Sequence, residues 1–284
     1  MSTNIGAMIR REIPPRDVAV VARDLQHGYD ELWVVEDLPY AGGISQATLA
    51  LEVTDDVRVG HGIAPAPFRN PAALAMEWAT LAELYPGRFI AGVGHGVQSW
   101  MAQIGERVES PLTLLEETIS SVRSLLAGQT VSLDGRYIHL DGVTLTYPPS
   151  TPPLVLAGVT GPKSLMLSGA VADGTVLSEG IGPDKVREAR RLIEQGRQAA
   201  GRTDHHHLTV FTGFYTGPPD GLGSQNSQTP TEWDAVCETP EETAAKLQTL
   251  IDAGADSVVL VPFGKDMVGQ LQLAAQRIVP LMTG

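Results

Sequence analysis

Residues 57–96 read VRVGHGIAPAPFRNPAALAMEWATLAELYPGRFIAGVGHG. Two short apolar runs, at 57–63 and 88–94, enclose a longer segment at 70–87 with a helical pattern of apolar residues. Apart from Arg58, His61 and Arg88, both short runs consist of apolar residues and glycine and do not alternate, which is typical of parallel strands buried on both faces. The stretch therefore predicts one strand–helix–strand unit of a parallel α/β protein.

The same alternation extends over the whole chain of 284 residues. Helical patterns follow the predicted strands, and the second helix, around 44–51, is the weakest because it is short. Eight strand–helix repeats predict a closed (β/α)8 TIM barrel, and a doubly wound open sheet is the alternative fold. We expect one domain spanning 1–284. The predicted strands are 4–9, 31–36, 57–63, 88–94, 153–158, 175–180, 207–215 and 256–262.

Two stretches interrupt this rhythm. Residues 129–152 predict a small hairpin, with its turn at Asp134-Gly135, inserted before the fifth strand. Residues 216–232 are poor in apolar side chains and rich in Gly, Pro, Ser and Gln. They predict a flexible loop after the seventh strand, on the face where barrel active sites lie. A loop without function is the alternative.

Composition narrows the class of partner. The formal charge of −13 and the pI near 4.9 argue against nucleic acid or an anionic membrane as the main partner. The single cysteine, Cys237, excludes an internal disulfide and fits a reducing compartment. No apolar run reaches the roughly 18 residues of a membrane span, and the start lacks a signal-peptide pattern. We therefore expect a cytoplasmic protein that binds a small molecule.

Candidate catalytic residues follow the second and fourth strands, where barrel chemistry is expected. Glu36, Asp37 and Tyr40 bring two carboxylates and a phenol to one position on the rim. His95 stands between two glycines in GVGHGVQSW, residues 92–100. So much glycine beside an imidazole indicates that something approaches the backbone closely. Helix or loop capping by Asp37 and simple packing of the His95 ring are the alternatives.

A candidate phosphate site follows the fifth strand. Residues 158–164 read GVTGPKS, a glycine turn that opens a helix beside a lysine. Backbone N–H groups at the start of a helix bind anions, so the turn predicts a phosphate cradle. An ordinary loop with a solvated lysine is the alternative. The residues concerned are Gly158, Val159, Thr160, Gly161, Pro162 and Lys163.

Four aromatic residues near strand ends predict an apolar substrate pocket, although ordinary packing at the rim explains each one equally well. These residues are Phe68, Trp100, Phe214 and Tyr215. His205, His206 and His207 are consecutive, and consecutive strand residues point to opposite faces, so three rings cannot share one ion. No metal motif or nucleophile elbow occurs elsewhere. The sequence therefore predicts neither a metal site nor covalent catalysis.

Together these motifs resemble the bacterial-luciferase-like superfamily of flavin- and deazaflavin-dependent oxidoreductases. The R-x-P-A…TL-x-E-x-x-x-GR-x-x-x-G-x-G spacing within 57–96 is the specific part of the resemblance. The resemblance implies a (β/α)8 barrel that binds FMN or coenzyme F420 at its C-terminal mouth. The matching pieces are LWVVED at 32–37, residues 57–96, SPLTLLEETISSVRSLLAG at 110–128 and GPKSLMLSGAVADGTVLSEG at 161–180.

The resemblance also implies roles for particular residues. In the methylene-tetrahydromethanopterin-reductase-like branch, a non-prolyl cis peptide behind the ring corresponds to Gly62-Ile63. The phosphate contacts correspond to residues 158–163, and the acidic residue after the second strand corresponds to Asp37. Gly94 and Gly96 would let the backbone approach the coenzyme, while His95 and Trp100 would flank its ring or tail. A homodimer is implied as well.

Two departures from the family bear on the chemistry. Many relatives carry Asp-His where this chain has Asp37-Leu38, and the sugar-phosphate dehydrogenases carry Glu where it has Val97. Proton transfer is therefore expected from His95 or from the Glu36, Asp37 and Tyr40 group.

The expected function is hydride transfer between F420 and a small organic substrate, because the 161–174 segment and the Gly62-Ile63 site are closest to the deazaflavin branch. One alternative is an FMN-dependent monooxygenase that uses reduced flavin and O2. A catalytically silent barrel that stores or carries flavin is the third hypothesis. The fold alone does not separate them.

Overall fold

The computed structural model describes residues 3–218 and 230–282. Eight parallel strands form a closed barrel in the order β1-β2-β3-β4-β7-β8-β9-β11, and β11 pairs with β1 to close it. The described strands are β1 Asn4–Ile9, β2 Glu31–Val34, β3 Arg58–Pro65, β4 Phe89–Gly94, β5 Val131–Asp134, β6 His139–Val143, β7 Val155–Gly158, β8 Gly174–Leu177, β9 His207–Thr216, β10 Ala235–Cys237 and β11 Ser257–Pro262.

Helices connect the barrel strands on the outside. Proline occupies the first turn of several of them, where its missing N–H would have no intrahelical partner anyway. The side chains of Asn70, Ser110 and Thr239 cap three of these helices. The described helices are α1 Val18–Leu25, α2 Gly43–Glu52, α3 Pro71–Leu84, α4 Gln98–Gln103, α5 Pro111–Leu126, α6 Pro162–Val171, α7 Pro183–Ala199, α8 Pro240–Asp252, α9 Met267–Arg277 and α10 Val279–Met282.

The predicted TIM barrel is confirmed, with all eight predicted strands in the ring. The hairpin is present as the antiparallel pair β5–β6, and the carboxylate of Glu117 accepts three backbone N–H groups at its turn. Most of the predicted loop, residues 219–229, lies outside the described residues. The short strand β10 was not predicted, because three residues carry no periodic signal; it pairs in parallel with β9.

Apolar side chains form two layers, one inside the barrel and one between barrel and helices. Strand β9 shows how side chains divide between the two layers. Leu208, Val210 and Phe214 face the outer layer, whereas Phe211 faces the barrel interior. This is the two-residue period of a strand. Within the described residues, no helix is long and apolar enough to cross a bilayer. The inner layer consists of Met8, Trp33, Val35, Ile90, Leu156, Val176, Phe211, Val259 and Val261, with Ile63 against it.

A bulge in β3 interrupts the barrel next to β4. The peptide bond Gly62–Ile63 is cis, as the resemblance implied, and the β3–β4 register shifts between His61 and Ala64. The Ile63 side chain fills the space that two glycines leave open. A Cβ atom would lie 2.5 Å from Ile63 Cδ1 if built on Gly94 and 1.9 Å from it if built on Gly158. Glycine at these positions is therefore required by Ile63.

This packing predicts the effect of Gly158→Ala on stability. The new methyl group overlaps Ile63 Cδ1, so we expect the free energy of unfolding to fall by about 1–3 kcal/mol, the usual cost of overpacking. Ile63→Val removes Cδ1 and leaves the nearest side-chain atoms at 3.2 and 3.3 Å. The double variant should therefore lose clearly less stability than the sum of the two single variants in denaturant unfolding.

Gly42→Ala is the matched control. Its Cβ would meet nothing closer than Glu36 Oε1 at 3.9 Å, and the backbone there is extended. This variant should unfold like the wild-type protein. Strict additivity of Gly158→Ala and Ile63→Val would contradict the overlap.

Candidate active site

A cavity of about 780 Å³ opens at the C-terminal ends of the barrel strands. Its lining contains most of the residues that the sequence singled out. They are Glu36, Asp37, Gly62, Ile63, His95, Gly96, Trp100, Gly158, Val159, Thr160 and Gly161. The structure thus brings the ends of β2, β3, β4 and β7 together around one hollow.

Seven predicted site residues do not line this cavity. Gly94 lies under Ile63, so its open side faces that side chain and not a coenzyme. Phe214 is fully buried between barrel and helices, and the Tyr215 hydroxyl donates to the carbonyl of Pro218. Lys163 is exposed on the first turn of α6. The remaining three are Tyr40, Phe68 and Pro162.

Glu36 lies in a buried ion pair. Both of its carboxylate oxygens accept from the Arg69 guanidinium, at 2.6 and 2.7 Å, and Oε1 also accepts from the backbone N–H of Gly43. His61 Nε2 lies 3.6 Å from Oε2. Burial alone would raise the pKa of Glu36, but His61 and Arg69 outweigh it and lower the pKa to about 2. Glu36 therefore stays ionised at neutral pH, which favours a positioning role over proton transfer.

His61 has a defined tautomer beneath this pair. The Trp78 indole N–H points at His61 Nδ1 over 3.4 Å, so Nδ1 accepts and Nε2 carries the proton toward Glu36. The histidine is completely buried. It links α3, which carries Trp78, to the end of β2.

Asp37 lies at the mouth of the cavity beside Arg11. The Arg11 Nη1 donates to Asp37 Oδ2 over 2.7 Å. The Arg11 guanidinium also lies over the ring of Tyr40, 5.2 Å from its centroid, which holds the phenol outside the lining. The acidic group predicted after the second strand is therefore divided between two separate ion pairs.

His95 bridges two helix starts. Its Nδ1 contacts the carbonyl of Pro111 at 3.1 Å, and its Nε2 contacts the Ser164 hydroxyl at 3.0 Å. Since a carbonyl only accepts, Nδ1 carries the proton and Nε2 accepts from Ser164. Burial lowers the pKa of His95, which keeps the ring neutral. Both nitrogens are therefore engaged, and the contact places Ser164 in the cavity wall.

The start of α6 faces the cavity. Residues 159–161 and Ser164 line it, and Gly161 precedes the helix without a side-chain cap. The N–H groups of a first helical turn have no intrahelical acceptor, and the helix dipole favours an anion there. A Cβ atom on Gly161 would meet nothing closer than Ser164 Oγ, at 3.9 Å. The turn is therefore open on the side where an anion would bind.

Glu179 is the site residue that the sequence analysis missed. It lies two residues after the end of β8 and lines the cavity. Within the described residues, no other residue donates a hydrogen bond to its carboxylate, since the nearby Arg10 donates to Glu12 and to the carbonyl of Pro262. Burial raises the pKa of Glu179; its own backbone N–H and the charge of Arg10 oppose this, the charges of Asp234 and Asp37 add to it, and burial has the largest effect. The rule used for Glu36, an acidic residue just after a barrel strand, would have found it.

Phe211 is the second residue missed. It lies inside the barrel with Trp33, their ring centroids 5.2 Å apart at 73°, and it forms part of the cavity floor. The alternation of β9 distinguishes it from Phe214, which faces the outer layer.

A closed barrel whose rim cavity is lined by a strand bulge and by the start of a helix beside it defines a ligand-binding α/β-barrel of the enzyme type. The family profile for luciferase-like monooxygenases matches residues 1–219. The chain belongs to that family.

Similar proteins include a 5,10-methylenetetrahydromethanopterin reductase from Methanolobus tindarius, 33% identical over 62% of this chain and 54% of that relative, so the chain matches about half of its length. An F420-dependent glucose-6-phosphate dehydrogenase from Nakamurella multipartita is 26% identical over 93% of this chain and 91% of the relative. Among solved structures, an F420-dependent secondary alcohol dehydrogenase superposes with a TM-score of 0.87 at 20% identity, covering all of both chains.

The Glu36–Arg69 pair predicts how Arg69→Met behaves. Glu36 would remain buried without its partner, so we expect a loss near the lower end of the about 3–5 kcal/mol seen when buried pairs are broken. Because the folded pKa of Glu36 lies below the unfolded value, the stability of the pair is present above about pH 4.5 and is lost as the pH falls toward 2. The difference between variant and wild type in denaturant unfolding should therefore shrink in acid.

Arg187→Met is the control, because Arg187 pairs with Asp184 on an exposed helix face. Removing an exposed pair should change stability by less than about 1 kcal/mol. An Arg69→Met variant that is equally destabilised at pH 7 and pH 3 would disagree with the assigned pair.

Proposed function

We propose that this protein is an oxidoreductase that transfers hydride between coenzyme F420 and a small, uncharged organic substrate. The observation that supports it most is that the Ile63 bulge and the adjoining turn at 158–161 line one cavity. An apolar wall and an anion-binding helix start are what a tricyclic ring with a phosphate-bearing tail needs.

The relatives favour F420 as the coenzyme. A reductase and dehydrogenases of the same family are similar over most of this chain, and those dehydrogenases are F420-dependent. The structurally similar secondary alcohol dehydrogenase was solved with an F420–acetone adduct. F420, when bound, supplies the two-electron hydride chemistry, so the protein has to bind, orient and exclude water.

The chain's own residues fit that coenzyme. Ile63 and Gly62 would back the ring, and the uncapped start of α6 with Gly161 would hold the phosphate. His95 fixes Ser164 in the wall of the same turn. Lys163 is exposed one residue into the helix and adds positive charge nearby.

Charge at the cavity favours an uncharged substrate. Of the described cations in the lining, Arg10 already pairs with Glu12, and Arg11 pairs with Asp37. Glu36, Asp37 and Glu179 contribute three carboxyl groups to the same wall. A second phosphate, such as that of a sugar phosphate, would meet no uncommitted cation among the described lining residues.

Glu179 is the group we assign to proton transfer. Glu36 and Asp37 are held as ion pairs, and both nitrogens of His95 are engaged. The carboxyl group of Glu179 has a raised pKa, and within the described residues the nearby Arg10 donates its hydrogen bonds to Glu12 and to the carbonyl of Pro262 instead. Reducing a carbonyl requires a proton on its oxygen, and Glu179 would deliver that proton from its carboxyl group.

The FMN-dependent monooxygenase stays the second candidate, because a solved monooxygenase from Streptomyces bottropensis has the same fold, with a TM-score of 0.77 at 16% identity. Turnover of either coenzyme would exclude the silent flavin carrier. A single domain over 1–284, a homodimer and a cytoplasmic location stay predictions.

Coenzyme binding tests the assignment. The wild-type protein is titrated with F420 and, separately, with FMN, and binding is followed by fluorescence. We expect it to bind F420 more tightly than FMN.

Gly161→Asp should weaken F420 binding by at least about a hundredfold, since like charges about 4 Å apart repel by about 4 kcal/mol near a protein surface. Gly161→Ala is the control: its Cβ has room, so its affinity should match wild type. Tight FMN binding without F420 binding would overturn the coenzyme; unchanged affinity in Gly161→Asp would remove the turn from the site.

Glu179→Gln tests the proton donor. With a series of small ketones and reduced F420, kcat should fall by about a hundredfold while F420 affinity stays unchanged. At pH 8 the variant should also be more stable than wild type, because glutamine avoids a partly buried charge. This gain should shrink as the pH falls below the raised pKa and vanish near 4.5, the value in the unfolded chain. Glu106→Gln, an exposed control, should change neither quantity. A fully active Glu179→Gln variant would exclude Glu179 as the donor.

A further inference from the structure

Two histidines and an aspartate converge at the end of the barrel opposite the cavity. His205 and His207 lie at the start of β9, and Asp256 immediately precedes β11, the neighbouring strand. One ring nitrogen of each histidine and one carboxylate oxygen lie within 4.8 Å of one another. His205 Nε2 and Asp256 Oδ1 are 3.1 Å apart. In a tetrahedral zinc site with bonds near 2.0–2.1 Å, neighbouring ligand atoms are about 3.3 Å apart, so this pair is already at ligand spacing.

The three consecutive histidines divide as strand alternation requires. His206 points away from the other two, is buried, and contacts Thr175 Oγ1 through Nε2 at 2.8 Å. His205 and His207 are two residues apart and share a side, with ring centroids 6.5 Å apart. The arrangement agrees with the prediction that three consecutive rings cannot face one ion. Two of the rings, however, lie close to one carboxylate.

A chain of hydrogen bonds fixes the tautomer of His207. The Ser257 hydroxyl donates its only proton to Glu31 Oε1 over 2.8 Å. In the 2.9 Å contact between Ser257 Oγ and His207 Nε2, the ring N–H is therefore the donor. This leaves the lone pair on Nδ1 of a neutral ring. A histidine whose second nitrogen donates to an outer partner is the usual state of a metal ligand.

Asp256 is oriented in a similar way. Its Oδ2 accepts from the Arg190 guanidinium and from the backbone N–H of Leu208, at 2.8 Å for the latter. Its Oδ1 is left for the contact with His205. Arg190 also donates to the carbonyl of Gly254, so the carboxylate sits on a fixed support. Hydrogen bonds that orient a metal ligand are thus in place for His207 and Asp256.

We propose that His205, His207 and Asp256 bind one divalent transition-metal ion of the zinc type. Two imidazoles and one carboxylate are a ligand set that suits Zn²⁺ and similar ions, with a fourth position left for water. His205 Nε2 and Asp256 Oδ1 each need a lone pair for the ion, so the proton between them moves to Nδ1 of His205, and the neutral ring binds through Nε2 with no net release of a proton. The ion would join the starts of β9 and β11.

Zinc titration of the full-length, metal-free protein tests this proposal. Calorimetry with ZnCl₂ should show one saturable site per chain, and Co²⁺ should give the visible absorption of a low-coordinate ion. Zinc should also raise the unfolding temperature, because it binds the folded state. His205→Ala should lose all three effects; this side chain is about half exposed, so its removal should leave the fold intact.

His139→Ala is the matched control, because His139 forms an exposed pair with Asp134 at 2.9 Å. This variant should bind zinc like wild type. The proposal is overturned if wild type binds no zinc, if His205→Ala binds it equally well, or if only His139→Ala loses it. None of these readouts depends on F420, so the proposed oxidoreductase and this site fail or stand separately.

Discussion

The side chain of Ile63 is the contact on which the active-site wall depends. It projects from the cis bulge of β3 into space that Gly92, Gly94 and Gly158 leave open on the two following barrel strands. Trp33, on the preceding strand, occupies the equivalent space beside Gly60 and Gly62. The interior of a small barrel has no free volume, so a bulge in one strand requires small residues in its neighbours. The position of Ile63 in the cavity wall follows from this fit.

Charge is arranged around that wall so that most ionisable groups are already paired. The Glu36 carboxylate accepts hydrogen bonds from Arg69 and from the backbone N–H of Gly43, and it lies beside His61. The contacts with His61 and Arg69 lower its pKa. His95 performs a similar task between α5 and α6 without carrying charge. Such groups hold the shape of a site but are poor at moving protons. Glu179, in the same wall, forms no ion pair within 3–218 and 230–282, and its buried position raises its pKa, so it is the more informative group.

The sequence predicts the barrel well because strand and helix patterns depend on local periodicity, and all eight strands were located to within a few residues. Its account of the site is less complete. Glycine at position 94 predicts that other atoms approach the backbone closely. Sequence spacing does not identify those atoms, and in the structure the nearest side chain is that of Ile63. Nearness to a strand end points to Phe214, but the two-residue alternation of β9 turns Phe214 to the outer layer and Phe211 to the barrel interior. Ion pairs such as Glu36–Arg69 join distant segments, which single-sequence patterns do not reveal.

Parallel strands connect the two ends of this barrel directly. β9 begins at His207 and carries Phe211 in the cavity floor four residues later, and β11 begins at Ser257 and carries Val261 in the same lining. These two strands pair along six residues, from Ser257 opposite Thr209 to Pro262 opposite Phe214. Their relative register is therefore the same at both ends, because a slip of one residue would turn every side chain to the other face. Whatever fixes the starts of β9 and β11 also fixes where Phe211 and Val261 lie in the cavity lining.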